Sequence, residues 1–276
     1  MSRRAELERR LGRLAEISNI MTAMKTMALI ETQKYGRFMT HQQQLVDSIE
    51  VAAADFLSFH PDLTGSSRAP QAQDHDVVIL IGSERGFCGD FNETIASVEA
   101  SLPGKPRLMV VGRRLAGKLE QHPRRVHWLA GANVAEEVPA VLDALIEELH
   151  RLSADPTSWR RLSVLSHDAT GAILLQTLLP LVPVAEHPFG FPPRLTIEPE
   201  RFLSALVEHY LAAKLPALFY GSLMAENRRR LEHMETALSR METRMDEITR
   251  SRNALRQEEI TEQIEIILLS TEAMLV

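Results

Sequence analysis

The sequence predicts an α/β protein whose long N- and C-terminal helices pair as an antiparallel coiled coil, with a compact α/β domain between them in the chain. Three observations carry this prediction. The C-terminal 222–276 region has no glycine or proline and repeats apolar residues at steps of three and four. The N-terminal region carries a similar apolar stripe. The middle alternates short apolar runs with helical patterns. The predicted limits are 1–60, 76–196 and 197–276.

The N-terminal helix is predicted from apolar residues that recur along one face: Leu7, Leu11, Leu14, Ile17, Ile20, Met21, Met24, Met27 and Ala28, and more weakly Leu45, Ile49, Ala53 and Phe56. His60 precedes Pro61 and ends the pattern, because a residue before proline is driven out of the helical region. Residues 61–75 are polar and rich in proline and glycine, and they predict a linker to the middle domain.

The middle of the chain predicts a mostly parallel sheet, because strand patterns alternate with helical patterns. The predicted strands are Val77–Ile81, Leu108–Val111, Leu162–Leu165 and Ala172–Leu178. The predicted helices are Asn92–Leu102, Arg113–Gln121 and Val134–Leu152. A proline-rich segment follows, and Pro199 is well placed to open the last helix.

The C-terminal helix shows a heptad seam at Leu231, Met234, Leu238, Met241, Met245 and Ile248. A continuous helix from Ser222 to the end would be about 80 Å long, so it must project from a small domain. Two long seams in one chain are best satisfied by each other. The alternative is a four-helix bundle in which neighbouring helices cover both. Pro216 and Gly221 predict a kink or short break before the seam begins.

The last residues, IILLSTEAMLV, are almost wholly apolar. A seam needs one apolar stripe, whereas here most of the helix circumference is apolar: Ile264, Ile266, Ile267, Leu268 and Leu269. Such a tip indicates insertion into a partner. The alternative, burial against the protein's own N-terminal helix, accounts for one face of the tip only.

Composition excludes several classes of function. The net charge of −6 argues against nucleic acid as a partner. Cys88 is the only cysteine, which excludes a disulfide framework and a cysteine-based zinc site. The scattered histidines predict no metal site. The N-terminus lacks the pattern of a signal peptide, and no uninterrupted apolar run is long enough to predict a membrane span. We therefore expect a soluble chain.

The stretch SERGFCGDFN follows the first predicted strand and invites comparison with phosphate-binding loops. Its glycines fit neither the dinucleotide fingerprint nor the P-loop, and Asp90 would repel a phosphate. Cys88 as a nucleophile would need a base, and the nearest histidine in the chain is His75. We expect instead that Gly86 and Gly89 permit a tight turn and that Cys88 fills a small apolar gap.

Four motifs, in order along the chain, resemble those of the γ subunit of F-type ATP synthases. The segment from Ile20 to Ala28 resembles the Ile-Thr-Lys-Ala-Met-Lys-Met-Val-Ala signature, and 83–92 is similar to Ser-Asp-Arg-Gly-Leu-Cys-Gly-Gly-Leu-Asn. Ala225 to Met234 resembles the family's Ser-Glu-His…Arg-Met…Met segment, and 256–261 resembles its Arg-Gln…Ile-Thr. Asp90 stands where the family has glycine, and Gln263 and Ile266 stand where it tends to have glutamate, which indicates a divergent branch.

The resemblance implies a fold and a role. The family's γ subunit is the central stalk: an asymmetric coiled coil inside a ring of three α and three β subunits, with a Rossmann-like α/β domain at its foot beside the ε subunit and the c-subunit ring. It implies no active site or cofactor of the chain's own. It also implies a peripheral location on the cytoplasmic face of the bacterial inner membrane, reached only through the c-ring.

The resemblance also assigns contact residues. Met24, Lys25, Arg256 and Gln257 would face the β subunits, and Ile264, Ile267 and Leu268 would sit in the bearing. The alternatives are that Lys25 is a solvated lysine, that Arg256 pairs with Glu259 or Glu262, and that Glu226, instead of a foot contact, pairs with Arg230. Two other classes of function stay open from the residues alone: a coiled-coil scaffold or chaperone with an α/β head, and a Cys88-dependent enzyme.

Overall fold

The computed structural model describes residues 3–64, 76–104, 106–120, 126–153, 161–181 and 191–274. The α-helices are α1 Arg3–Phe59, α2 Phe91–Ala100, α3 Arg113–Lys118, α4 Val138–Ser153 and α5 Pro199–Met274. The strands are β1 Asp76–Ile81, β2 Arg107–Val111, β3 Val126–Leu129, β4 Arg161–His167 and β5 Ile173–Leu179. Short 3-10 helices span Pro61–Thr64 and Ala135–Glu137.

The chain divides into two compact units. One consists of 1–27 and 231–276, and the other of 28–230. Both long helices, α1 and α5, contribute residues to both units. Most of the predicted linker, 65–75, lies outside the described residues, as do 182–190 of the proline-rich segment and the last two residues.

The α/β unit contains a five-stranded sheet in the order β3-β2-β1-β4-β5. The first four strands in this order are parallel, and β5 pairs antiparallel with β4. The sheet is therefore mostly parallel, as expected, with an antiparallel edge strand that the expectation did not include. Strand β3 was not predicted. Its four residues, Val-His-Trp-Leu, are too short and too mixed to show a period.

Both faces of the sheet are covered, which explains why its central strands are apolar throughout. Alternate side chains of β1 point to opposite sides. Val77 and Ile79 join a core cluster that includes Leu145 of α4 and Phe219 of α5. Val78 and Leu80 join a second cluster, whose helical members are Phe91 and Ile95 from α2, Leu115 from α3 and Ala225 from α5.

The predicted break at Pro216 and Gly221 does not occur, because α5 continues as one helix through both residues. Leu215, Ala217 and Phe219 are buried beside the proline, and this packing outweighs its helix-breaking tendency. Gly221 is buried, and a methyl group there would lie 3.6 Å from the backbone nitrogen of Ala169. This is an ordinary van der Waals distance, so the β4–β5 turn packs against the helix here without requiring a glycine.

By length and composition alone, α5 would pass as a membrane span, since its Pro199–Leu268 portion contains a stretch with a mean hydropathy of 1.2. Only a third of that stretch is buried within the protein. A core helix of a soluble protein passes the same test, so this property is weak evidence for insertion.

Candidate partner-contact surfaces

The coiled-coil unit buries the predicted heptad seam. Met234 is fully buried and Ile248 is 5% exposed. The remaining seam residues are half-buried: Leu231, Leu238, Met241 and Met245. A device that grips clients between separated arms would expose these side chains, so burial of the seam argues against the chaperone alternative.

Two ion pairs show that the coiled-coil helices run antiparallel. Lys25 Nζ lies 2.8 Å from Glu235 Oε1, and Arg4 Nη1 lies 3.3 Å from Glu259 Oε2. The residue number thus falls along α1 as it rises along α5. All four side chains are between about a third and three-fifths exposed, so these pairs mark the register of the two helices but contribute little stability.

The β-contact residues named by resemblance differ in their surroundings. Met24 and Lys25 are half-buried, and the Lys25 ammonium is engaged by Glu235 rather than solvated alone. Arg256 and Gln257 are exposed on α5. Glu259, one of the two carboxylates considered as a partner of Arg256, accepts a hydrogen bond from Arg4 instead.

The apolar tip lies on α5 beyond the point where Arg4 meets Glu259. Four aliphatic side chains there are more than half exposed: Ile264 at 52%, Ile266 at 60%, Ile267 at 61% and Leu268 at 61%. The side chains of Leu269 and of 271–276 lie outside the described residues. Because these four side chains are more than half exposed, the alternative of burial against α1 does not hold for them.

The loop between β1 and α2 is held by buried side chains. The Ser83 backbone N–H donates to Asn92 Oδ1 at 3.0 Å, and Asn92 Nδ2 donates to Ser83 Oγ at 2.7 Å. Cys88 Sγ lies 3.4 Å from Ser83 Oγ and 3.6 Å from Asn92 Nδ2. The gap that Cys88 fills is therefore polar on one side. Burial raises the pKa of the Cys88 thiol, which disfavours the thiolate that a nucleophile needs.

The turn itself depends on Gly89 and, unexpectedly, on Phe87. Gly89 has φ +60°, a conformation that glycine adopts without strain. Phe87 has φ 63°, and such a value is rare for a bulky residue. Gly86 has no positive φ. Its carbonyl instead accepts a hydrogen bond from Arg230 Nε at 3.4 Å.

Glu84 lies in the loop after β1, at the carboxyl ends of the parallel strands, the edge at which open α/β sheets bind ligands. Its Oε2 accepts the backbone N–H groups of Arg113 and Gly131, each at 2.9 Å. The Arg113 guanidinium lies 3.3 Å from Oε1. One carboxylate thus joins the loop after β1 to the start of α3 and to the segment after β3. The backbone N–H groups of Arg113 and Gly131 are therefore already engaged by Glu84 and are not available to bind a phosphate.

His167 is a histidine close to the loop, and it is not placed to act as a base on Cys88. Its ring stacks on Phe91 with centroids 4.1 Å apart, and Nε2 lies 3.2 Å from Thr94 Oγ1. Burial lowers the pKa of His167 to about 4, and Arg229 contributes to the same shift. His167 is therefore a neutral packing residue at physiological pH.

The family model described as ATP synthase matches residues 3–274. The chain belongs to the ATP synthase family. Among curated relatives, the gamma chain of Azobacteroides pseudotrichonymphae is 23% identical, with 98% of each chain covered. The gamma chain of a Parafrankia species is 26% identical, covering 98% of this chain and 97% of its own. The prediction of an ATP synthase gamma subunit is confirmed.

Solved rotors of this family share the fold. The rotor of the Euglena gracilis mitochondrial ATP synthase in rotational state 1 matches with a TM-score of 0.60 and 15% identity, covering 93% of this chain and 98% of that one. The central stalk and c-ring structure from Tetrahymena thermophila gives 0.52 at 16% identity, covering 79% and 99%.

The structure shows the surroundings of one residue, Asp90, that departs from the gamma-family pattern. Asp90 precedes α2, and its carboxylate lies 3.5 Å from Arg229 of α5.

Glu226 also has a definite environment. It is 4% exposed and pairs with Arg230, the alternative considered from the sequence. The sequence offered one indication of this pair, the run of three arginines from Arg228 to Arg230 close to Glu226. That pattern did not indicate that Arg230 would be buried.

Proposed function

We propose that this gamma-family chain is the rotor shaft that couples ion-driven rotation of a c-subunit ring to ATP synthesis or hydrolysis in a hexamer of α and β subunits. The observation that carries the proposal is the coiled-coil unit. Its helices pair through a buried seam, the ion pairs Lys25–Glu235 and Arg4–Glu259 mark its register, and its apolar tip is exposed. A rod with a bare apolar end is suited to turning inside a ring of partners.

The coupling is proposed to act through unequal contacts. A two-helix rod presents different side chains in different directions, so three identical β subunits around it would meet different surfaces. Each catalytic site is then biased toward a different nucleotide affinity, because a contact made in one conformation and not in another shifts the population. A third of a turn of the shaft would exchange the three states.

The proposed β contacts are Met24, Lys25, Arg256 and Gln257. Lys25 is paired with Glu235 within the chain, with the two side chains 38% and 59% exposed. An acidic loop of a β subunit would therefore compete with Glu235 for the ammonium group. Arg256 and Gln257 are exposed, and their guanidinium and amide groups suit hydrogen bonds that form and break. Ile264, Ile267 and Leu268 are proposed to occupy the bearing.

The α/β unit is proposed to form the foot of the stalk, in contact with the ε subunit and the c-ring. The chain would then lie on the cytoplasmic face of a bacterial inner membrane and meet the membrane only through the ring. No nucleotide, metal or cofactor site is proposed for it, and the backbone N–H groups of Arg113 and Gly131 at the strand ends are already engaged by Glu84.

Reconstitution tests this function. Mixed with α and β subunits from the same source, the chain should enter a stable hexameric complex and restore ATP turnover, whereas the chain alone should hydrolyse no ATP. Replacing Arg256 and Gln257 together by Ala should lower coupled turnover several-fold with little change in thermal stability, because both side chains are exposed.

A matched control is the double change of Glu198 and Arg201 to Ala. These residues form an exposed pair on or beside the start of α5, with side chains 77% and 82% exposed. We expect this control to leave turnover unchanged. If the Arg256 and Gln257 variant lost stability and turnover in parallel, its residues would be structural and the proposed β contact would be wrong.

A further inference from the structure

Three consecutive arginines of α5 contact three different segments of the α/β unit. Arg228 Nη1 donates to the Ala169 carbonyl at 2.8 Å, in the β4–β5 turn. Arg229 Nη1 lies 3.5 Å from the carboxylate of Asp90, where α2 begins. Arg230 Nε donates to the Gly86 carbonyl at 3.4 Å, in the β1–α2 loop. Successive side chains leave a helix about 100° apart, so these contacts hold α5 on different sides.

The Arg230 contact is the buried one. Its guanidinium donates to Asn227 Oδ1 at 2.6 Å and to a carboxylate oxygen of Glu226. Arg230 is 8% exposed, Glu226 4% and Asn227 3%. A planar guanidinium with partners in three directions has a fixed orientation, since any rotation breaks at least one hydrogen bond.

The loop that receives Arg230 is itself fixed. Ser83 and Asn92 exchange two hydrogen bonds across its base, and the buried Cys88 contacts both. Phe87, the residue after Gly86, is held in the left-handed region at φ 63°. A bulky residue stays in that region only where its surroundings determine the backbone. The Gly86 carbonyl is therefore a rigid point of attachment for α5.

Stability alone does not account for the buried pair. Burying Glu226 disfavours its charge, and the attraction of Arg230 offsets that effect only in part. Apolar residues of similar volume often stabilise a protein as well as a buried ion pair, or better. A buried, hydrogen-bonded ion pair fixes the relative orientation of the groups that it joins, whereas apolar packing does not.

We propose that Arg230, oriented by Glu226 and Asn227, is a positioning residue that prevents α5 from turning about its own axis within the α/β unit. We call this contact of Arg230 the rotational lock. The inference rests on the proposed rotor function, because only a shaft that carries torque needs a helix held against rotation in this way. α5 continues as one helix to Met274, so a rotation prevented at Arg230 is a rotation prevented at the root of the helix's coiled-coil portion. Arg228 and Arg229 resist the same rotation from other sides.

The test replaces the lock by apolar packing of similar volume, in the double variant E226L/R230M within the complete complex. With the hexamer fixed to a surface, a bead is attached to a cysteine introduced at Ser97, an exposed residue of α2. The angular fluctuations of the bead report the torsional stiffness between α2 and the hexamer. The ratio of ion pumping to ATP hydrolysis is measured on the same preparation in membranes.

In E226L/R230M we expect a several-fold larger angular variance and a lower pumping ratio, with ATP hydrolysis by the complex retained. Thermal stability should be equal to that of the unaltered protein or higher. The variant R230K keeps the charge beside Glu226 but lacks the fork that spans three partners, so it should show an intermediate variance. R230K decides the matter if the double variant does not fold.

An unchanged angular variance of the bead and an unchanged pumping ratio in a folded variant would overturn the proposed role of Arg230. The E198A/R201A control should behave as the unaltered chain, and an equal softening in it would also overturn the specific role of Arg230. Failure of the rotor function itself gives a different result, because the unaltered chain would then neither assemble with the hexamer nor turn the bead.

Discussion

At the scale of single residues, the informative positions are buried polar groups that no sequence pattern isolates. Glu84, Glu226 and Arg230 each belong to a common surface type, and in this fold each is buried or nearly so. Their roles depend on loops that are distant in the chain, such as Gly131 for Glu84. A sequence shows which residue types are present, but not which of them a fold encloses.

The environment of Glu226 predicts a pH dependence of stability. Burial raises the pKa of Glu226 from 4.5 to about 7, against the opposing effect of Arg230. Between these two values the folded state holds a proton that the unfolded state has released. The free energy of unfolding should therefore fall as the pH rises from about 4.5 to about 7, on the order of a few kcal/mol, and then level off. Glu226→Gln should abolish this fall, as measured by denaturant unfolding across that range.

Glu93→Gln is the matched control for this measurement. A hydrogen bond from Lys118 lowers the pKa of Glu93, so its contribution has the opposite sign and is lost as the pH falls. The low pKa of His167 also reduces stability toward acid, but it does so in every variant and cancels in the difference. If wild type and Glu226→Gln had parallel pH profiles, the carboxyl would be ionised throughout.

At the scale of elements, the strands with clear apolar runs were predictable and the short ones were not. β1 and β2 begin one residue before their predicted starts, and the rest of each strand is a run of consecutive apolar residues, as central parallel strands require. β3 is four residues long and contains His127 and Trp128, so its strand state comes from pairing with β2 rather than from local preference. The antiparallel direction of β5 follows from a tight turn at Asp168 that the sequence pattern did not single out.

The approach of α3 to the sheet depends on glycine. Gly112 has φ +104°, and a methyl group there would lie 2.6 Å from the Gly82 carbonyl oxygen. Gly112→Ala should therefore destabilise the α/β unit by more than about 3 kcal/mol, or prevent folding. Gly117 lies within α3, and a methyl group there would meet no heavy atom within 4 Å, so Gly117→Ala should stabilise by about 0.5 kcal/mol.

Thermal or denaturant unfolding of the two variants measures this difference. Because both replace glycine by alanine within α3 or at its start, the unfolded chains lose the same conformational freedom. Equal effects on stability would mean that the close contact at Gly112 relaxes without cost.

At the scale of the whole molecule, the coiled coil was the part best predicted from sequence. A heptad repeat is a local pattern with a direct structural meaning, and its residues Met234 and Ile248 are buried as the pattern requires. The candidate site was predicted less completely. The exposed tip followed from composition, whereas the pairing of Lys25 with Glu235 depends on the register of two distant helices.

Removing the tip should separate folding from assembly. Deletion of Ile266–Val276 should leave the α/β unit folded, because none of the core residues that the structure describes lies in this segment. The deletion should weaken seating in the hexamer and lower coupled ATP synthesis, as measured by co-purification and by synthesis in membrane vesicles. The triple change of Ile266, Ile267 and Leu268 to Gln keeps the length of the helix and should have the same effect if apolar contact is the cause. Unchanged assembly in both variants would show that the tip has no bearing role.

The exposed aliphatic side chains between Ile264 and Leu268 also bear on how such a subunit is produced. A copy that is not assembled with its proposed partners exposes these apolar side chains to water. Exposed apolar surfaces of excess copies associate with one another and aggregate. Under the proposed function, production of this chain in fixed proportion to the α and β subunits that would cover these side chains would avoid aggregation of excess copies.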